Sequence, residues 1–435
     1  MKLSIIFFND VHGYLQPHPE LFYEESKEFI KTVGGYSRIA GYINEIRKCN
    51  EHVLVFDGGD TFHGTYPVVQ SKGEVVVPIL NKVGIDAMVG HWDFAYGPQQ
   101  LLKLASQLNY PVLGINVYNE DRSLFLKPYI FKQVEDCKIA IIGICSNIID
   151  KTMPRHFSEG LKISDGSEEL PFYIKEVKGK GADIVILLSH NGFPQDYDML
   201  SQVEGVDICL SAHTHNRLYE AVIINNATVI QCGCHGSFVG QLYIEIEDKK
   251  IQKHSYQLVV TDDSLPIDEE MNALVNGAFK PYDALSEVVG QTSVVLHRYN
   301  TLNSGMDNLL LSAMMYTTQC EVAFSNGWRY GAPVVKGMIT KNDLFNIIPH
   351  NPFISTTDLT GSEIKSMLEE NLERTFSTEP MQQMGGYLKR CAGLTAYIKI
   401  ENPKGHRIQE LFIGDRSYDH PATVSCCICD GTGRA

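Results

Sequence analysis

Apolar residues come in short, nearly unbroken runs through the first part of the chain, at residues 3–8, 53–56, 139–144, 184–188 and 206–210. Runs this short, rich in Ile, Val, Leu and Phe, predict strands buried on both faces. Residues 112–115 read the same way. Between these runs the spacing changes. Tyr36, Ile39, Ile43 and Ile46 fall on one face of a helix, and residues 75–80, 98–108 and 170–178 predict further helices, one with Pro98 at its start. Residues 222–224, 228–231 and 240–246 predict antiparallel strands closing the region. The alternation over residues 1–262 predicts an α/β sandwich.

Polar and turn residues after Val260 interrupt the pattern, so a linker containing a helix is placed at 263–287. Residues 288–435 predict a second, smaller α+β domain with helices at 306–317, 341–347 and 361–374. Two glycine-containing loops stand out there, at 325–331 and 383–390. Neither internal repeats nor low-complexity tracts are visible.

The ends of the strand-like runs carry the chemistry. Asp10 and His12 follow the first run, Asp57-Gly58-Gly59-Asp60 the second, Ser189-His190-Asn191 the run at 184–188, and Ser211-Ala212-His213-Thr214-His215 the run at 206–210. In open α/β sheets ligands gather at the carboxyl ends of strands, so these groups are expected at one edge. His213 and His215 turn toward one point only where the backbone bends instead of alternating faces. Carboxylate oxygens with neutral imidazoles suit Mn²⁺, Fe, Zn²⁺ or Co²⁺ and exclude an all-oxygen calcium cage. Six such groups, with a seventh near by, are too many for one tetrahedral ion and fit two ions sharing a carboxylate. Asp60 is the candidate bridge, because Gly58 and Gly59 let its backbone come close. Metal-assisted hydrolysis is the implied chemistry, paired ions lowering the pKa of a water and stabilising a tetrahedral anionic centre.

Composition narrows the partners. A chain of 435 residues has room for two or three domains. A net charge of −15 argues against a nucleic-acid polymer or an anionic membrane surface, although metal ions can locally invert that field for a phosphate. No apolar stretch approaches the ~20 residues of a membrane helix. Eleven cysteines, odd in number and scattered, predict reduced thiols. The apolar run after Lys2 stops too soon for a signal peptide. A cytoplasmic chain is the expectation, with export open if a leader was removed.

Asp10/His12, Gly59-Asp60, Gly90-His91-Trp92-Asp93, His190 and His213/His215 occur in an order that resembles the motif series of the calcineurin-like metallophosphoesterases, specifically the 5'-nucleotidase branch with its separate C-terminal substrate domain. The resemblance implies a four-layer α/β/β/α sandwich, two divalent ions with Mn²⁺ first and Zn, Fe or Co as alternatives, and hydrolysis of nucleotides or related small-molecule phosphate esters. It would assign Asp10, His12, Asp60 and His215 to one ion, and Asp60, His91, His190 and His213 to the other. The third motif departs from the pattern: His91 stands where the nucleotidases have asparagine, and Trp92 where they have a histidine acting on the leaving group. An indole N–H donates a hydrogen bond but carries no proton at pH 7. Asp93 is thereby left without its usual partner. Gly-His-Trp-Asp-Phe followed by Tyr96-Gly97, together with residues 189–193 and 325–329, resembles instead the dimanganese thiosulfohydrolases of bacterial sulfur oxidation. A carrier protein bearing a thiosulfonate would then be the partner.

His91, Asp93 and His63 are the candidate catalytic groups, His63 as a replacement for the missing acid. His235 is a candidate for orienting a metal ligand. Asn326, Arg329 and Arg390 are candidates for gripping an anionic group, the arginines as planar forks. Where the nucleotidases clamp a base between aromatic rings, this chain has Leu388 at the first position. The tail around Cys426, Cys427 and Cys429 lacks a second Cys/His pair at zinc spacing, so a truncated or frame-altered tail competes with a metal knuckle. Loss of catalysis with retention of the metals is the alternative from another class.

Overall fold

A computed structural model describes residues 1–25, 27–327, 331–385, 387–418 and 423–429. The chain falls into two compact units, Met1–Ala284 and Leu285–Ala435.

The first unit is built on two sheets. One has five strands in the order Lys250–Val260, Phe238–Glu247, Lys2–Phe8, Val53–Asp57, Ala87–Met88. The other has six, in the order Val222–Ile224, Ala227–Ile230, Ile208–Ser211, Ile184–Ser189, Cys137–Ile144, Tyr129–Val134. Side chains alternate across each strand, and the alternation sorts the apolar residues into layers. Ile5, Phe7 and Leu54 of the first sheet meet Ile139, Ile141, Ile186 and Ile208 of the second in one cluster between the sheets. Ile6, Phe8 and Val55 point the other way. They pack with Tyr36, Ile39 and Ile43 of helix Tyr36–Cys49 and with Ile79 and Leu80 of helix Val77–Val83. On the second sheet, Ile142, Val185, Leu187 and Cys209 are also buried, and the crossover helices Glu169–Gly179 and Phe193–Gln202 bury Leu170, Ile174, Val177, Met199 and Leu200. The result is the expected α/β/β/α order. Each of these aliphatic side chains contributes about 1.5–3 kcal/mol by leaving water.

Strands Lys2–Phe8 and Val53–Asp57 run parallel, as do Cys137–Ile144, Ile184–Ser189 and Ile208–Ser211. Ser189 pairs in register with both Ile144 and Ser211, so the residues that follow these strands emerge side by side.

Three expectations need correction. Within residues 112–115 only Val112 and Leu113 form bridges, both isolated, because Leu113 N bonds to Met88 O, Gly114 N to Lys127 O and Ile115 N to Gly143 O, three different neighbours. Strand Ala227–Ile230 is parallel to Ile208–Ser211, and only its pairing with Val222–Ile224 is antiparallel. A hairpin of His18–Glu24 and Lys27–Val33 and the edge strand Lys250–Val260 escaped the pattern, since their exposed positions carry Glu and Lys and dilute the apolar signal. The helix expected in the linker, Glu269–Phe279, buries Met271, Val275 and Ala278 in the first unit's core.

In the second unit a four-stranded sheet, ordered Ser355–Leu359, Val424–Cys429, Val322–Gly327, Tyr387–Ala392, packs against helices Gly305–Thr318 and Gly361–Phe376. Both helices are capped, the first by the Ser304 hydroxyl and the second by a Thr360/Glu363 capping box. The cysteine tail is an inner strand of this sheet: Cys426 packs on one face, Cys427 and Cys429 on the other, all of them buried. They act as small apolar side chains on opposite faces of the strand, which corrects the expectation of a metal knuckle. Leu388 is core as well.

Candidate metal centre

The backbone bends sharply where the ligands sit. Asp10 (φ 52°), His12 (49°), Asp60 (59°), His213 (73°) and His215 (58°) all adopt left-handed conformations. Such a conformation is strained for a residue with a Cβ and persists where the surroundings enforce it. It lets His213 and His215, only two residues apart, each reach one of two adjoining donor sets. Glycines do the rest. A Cβ on Gly59 would lie 2.5 Å from Val89 O, and one on Gly58 would lie 2.5 Å from the Asn9 Cβ.

Six of the predicted groups, with His91 as the seventh, converge. Donor atoms of Asp60, His91, His190 and His213 lie within 4.8 Å of one another, and so do those of Asp10, His12, Asp60 and His215. Asp60 is common to both sets. Its Oδ2 lies 3.4 Å from His190 Nε2 on one side and 3.5 Å from His12 Nε2 on the other, while Oδ1 lies 3.4 Å from His91 Nδ1. In the other set, His215 Nε2 lies 3.2 Å from both Asp10 Oδ1 and His12 Nε2. All seven are buried or nearly so.

Hydrogen bonds behind the ligands fix which atom faces inward. His190 Nδ1 donates to Gly58 O at 2.5 Å; a carbonyl only accepts, so Nε2 carries the lone pair toward the centre. Asp10 Oδ2 accepts from Asn9 Nδ2 (2.6 Å) and His213 N (2.9 Å), leaving Oδ1 inward. Asp60 Oδ1 accepts from Trp92 N at 2.7 Å. Asp93 does not touch the ring of a neighbouring histidine. Its carboxylate accepts from Asp60 N (2.9 Å), Thr61 N (2.9 Å), Phe62 N (3.0 Å) and His91 N (3.2 Å), which clamps the Asp60 loop against the His91 loop.

The donor set fits two divalent cations. Asp10 Oδ1, His190 Nε2 and both His91 ring nitrogens are buried and form no hydrogen bond with the described residues. Burial opposes charge on His190, yet Asp60 and Asp10 raise its pKa to about 10. Burial would also raise the pKa of Asp60, but His190, His91 and His12 hold it well below the usual carboxylate range. The centre thus demands positive charge, from protons or from metal.

A third cluster, His18, Glu20 and His235, also brings its donor atoms within 4.8 Å. Its cation is already present. Arg217 Nη2 lies 3.0 Å from Glu20 Oε1, and Glu20 further accepts from Leu21 N, Ser237 Oγ and His235 Nδ1. His235 N in turn donates to Asp10 O at 2.7 Å, so this network ties the missed hairpin to the Asp10 loop.

Sequence reading also missed Asp196. Buried on helix Phe193–Gln202, it accepts from Ser189 Oγ and Ser211 Oγ, both at 2.6 Å, and so ties together the ends of the strands that precede His190 and His213. The signal was two serines at matching strand ends. Burial raises the Asp196 pKa from 3.8 to about 6, against the pull of both serines. The folded form then binds more protons than the unfolded chain between pH 4 and 6, so stability present at low pH is lost as pH rises through that window. Asp196→Asn keeps an acceptor for one serine and a donor for the other. It should be more stable than wild type by about 1–3 kcal/mol at pH 7 and should lack the wild-type slope between pH 4 and 6. Parallel denaturation curves for the two proteins across that window would refute this.

Residues 3–217 match the calcineurin-like phosphoesterase family, and residues 288–424 match the 5'-nucleotidase C-terminal domain. The chain belongs to the 5'-nucleotidase superfamily of calcineurin-like phosphoesterases. The trifunctional nucleotide phosphoesterase protein YfkN of Bacillus subtilis is 25% identical over 97% of this chain, which spans only 30% of that protein's length. A snake venom 5'-nucleotidase of Gloydius brevicauda is 26% identical over 94% of this chain and 76% of its own. Among solved structures, the sulfate thiohydrolase SoxB of Thermus thermophilus superposes with a TM-score of 0.92 at 22% identity, covering 98% of this chain and 88% of that one. A 5'-nucleotidase precursor from the same organism gives 0.86 at 22%, covering 98% and 89%. At that identity both show the fold.

The remaining candidate residues separate. His63 is fully buried and stacks on Trp92, ring centroids 4.7 Å apart and planes 23° from parallel. Asn326 lies half-buried near the end of strand Val322–Gly327. Arg329 lies outside the described residues. Arg390 is 2% exposed, with Nη1 and Nη2 donating to Thr301 O and Asn300 O at 2.6 Å and Nε lying 3.1 Å from Asp307 Oδ2. Its fork holds the protein's own backbone, which corrects the expectation that it grips a substrate.

Proposed function

We propose that this chain hydrolyses phosphate monoesters, nucleotides or related small-molecule esters, with two divalent cations, Mn²⁺ foremost, held by Asp10, His12, Asp60 and His215 and by Asp60, His91, His190 and His213. The observation that carries this reading is the pair of donor sets sharing Asp60. Bound there, the cations would supply an activated water and charge to stabilise the developing anion. The protein's share is orientation: Gly58 O and the Asp93 clamp hold the histidines and Asp60 in place before substrate arrives. The Trp92 indole N–H cannot deliver a proton, so departure of the leaving group would fall to His91, if the cation does not occupy it fully, or to His63. The eleven cysteines, odd in number and scattered along the chain, support a reducing compartment such as the cytoplasm. No helix among the described residues is long and apolar enough to cross a membrane.

The Gly-His-Trp-Asp block favours a second reading, hydrolysis of a sulfonate from a thiosulfonate-bearing carrier protein. Mn²⁺-loaded protein assayed on nitrophenyl phosphate, a nucleotide panel and a thiosulfonate conjugate separates the two. Phosphate esters should turn over well above a His190→Ala control. Turnover of the conjugate alone would select the second reading, and none of either would leave a metal-binding protein without catalysis.

A further inference from the structure

Residues 145–147 leave strand Cys137–Ile144 between the two loops that carry His91 and His190. Ser146 N donates to Gly90 O at 3.1 Å, and Asn147 N donates to Asn191 Oδ1 at 3.2 Å. Asn116 holds the segment rigid: its Nδ2 donates to Cys145 O at 2.8 Å and its Oδ1 accepts from Cys145 N at 2.9 Å. Asn191 is fixed in turn by its Nδ2 donating to Asp165 O at 2.9 Å. In this pinned setting the Asn147 amide (1% exposed) and the Ser146 hydroxyl (0%) stand out. Asn147 Nδ2 and Oδ1 and Ser146 Oγ are buried and form no hydrogen bond with any described residue. Native proteins satisfy such groups with water or a ligand.

The identity of the orphaned atoms says what kind of ligand. An ionised phosphate or sulfonate oxygen only accepts; it would pair with Nδ2 and leave Oδ1 facing another acceptor. A hydroxyl both donates and accepts, and so answers both ends of the amide and the serine. Residues 145–147 carry no charge, which also disfavours an ionic group there. We propose that Ser146 and Asn147 form a neutral subsite beside the His91 and His190 loops, which takes a hydroxyl from the polyol or sugar part of a phosphate ester. This rests on the phosphoesterase reading and sharpens it, because the reacting group of a thiosulfonate carries no hydroxyl.

The test compares ribose 5-phosphate with 4-nitrophenyl phosphate, which lacks hydroxyls, on the Mn²⁺-loaded full chain. Asn147→Leu should lower kcat/KM on ribose 5-phosphate about tenfold or more and Ser146→Ala about threefold, both staying within about twofold of wild type on nitrophenyl phosphate. Equal losses on both esters with a lowered melting temperature would assign a structural water to the position and overturn the subsite. Unchanged rates on both would overturn it too. Absence of turnover by the wild type on either ester overturns the phosphoesterase reading, and the subsite with it. Should Asn147→Leu fail to fold, Ser146→Ala carries the same comparison.

Discussion

Asp60→Asn should lose roughly a thousandfold or more in kcat/KM on any ester the wild type hydrolyses, about 4 kcal/mol of transition-state stabilisation. Its bound metal should also fall from two ions per chain to one or fewer. The reason is geometric. Among the described residues Asp60 alone belongs to both donor sets, and its Oδ2 lies between His190 Nε2 and His12 Nε2 at 3.4 and 3.5 Å. An amide keeps the shape, and its oxygen can still accept from Trp92 N, so the loop has no steric cause to move. What disappears is the charge shared by the two cations. The backbone N–H of Asp60 still donates to Asp93, which leaves the fold supported. Metal analysis by mass spectrometry, with circular dichroism of the metal-free form as the folding control, checks the expectation. A folded variant that keeps two ions and a near-wild-type rate would remove the bridging role.

How far this centre could be read without coordinates depends on what each residue signals locally. The four strand ends were legible because strands buried on both faces leave apolar runs, and a polar residue just past such a run has few places to go. The bends were legible at Gly58 and Gly59 and, from the spacing of two histidines, at 213–215, whereas nothing in Asp10 or His12 announces a left-handed backbone. The clamp made by Asp93 was hidden for the same reason. Its neighbours in sequence suggested proton transfer, whereas its partners in space are backbone N–H groups of residues 60–62, which no pattern can display. Arg390 looks like a substrate fork in one dimension and is a buried strut in three. Glu20 and Asn147 carried no signal, and Asp196 only the indirect one of two serines at matching strand ends, because their importance comes from segments brought together by the sheets.

The clamp made by Asp93 leads to the second large effect. Asp93→Ala should destabilise the first unit by about 3–5 kcal/mol, because the buried N–H groups of Asp60, Thr61, Phe62 and His91 would lose their acceptor together. The pKa of Asp93 bears on how much is lost: burial and Asp60 raise it above the usual carboxylate value, while the N–H groups of Phe62 and Thr61 pull it down. A carboxylate held in place against its desolvation penalty returns part of that penalty when removed, which keeps the figure below the sum of the separate hydrogen bonds. Asp93→Asn should fall between, its oxygen accepting some of these bonds while its NH₂ meets the rest as a rival donor. Urea unfolding of the first unit measures the loss. Activity should drop with metal content, and equally for nitrophenyl phosphate and for esters with poor leaving groups, because a displaced Asp60 affects both. A proton donor behaves differently: its removal spares good leaving groups. An Asp93→Ala protein that is stable, holds two ions and fails only on poor leaving groups would therefore return Asp93 to acid catalysis and refute the clamp.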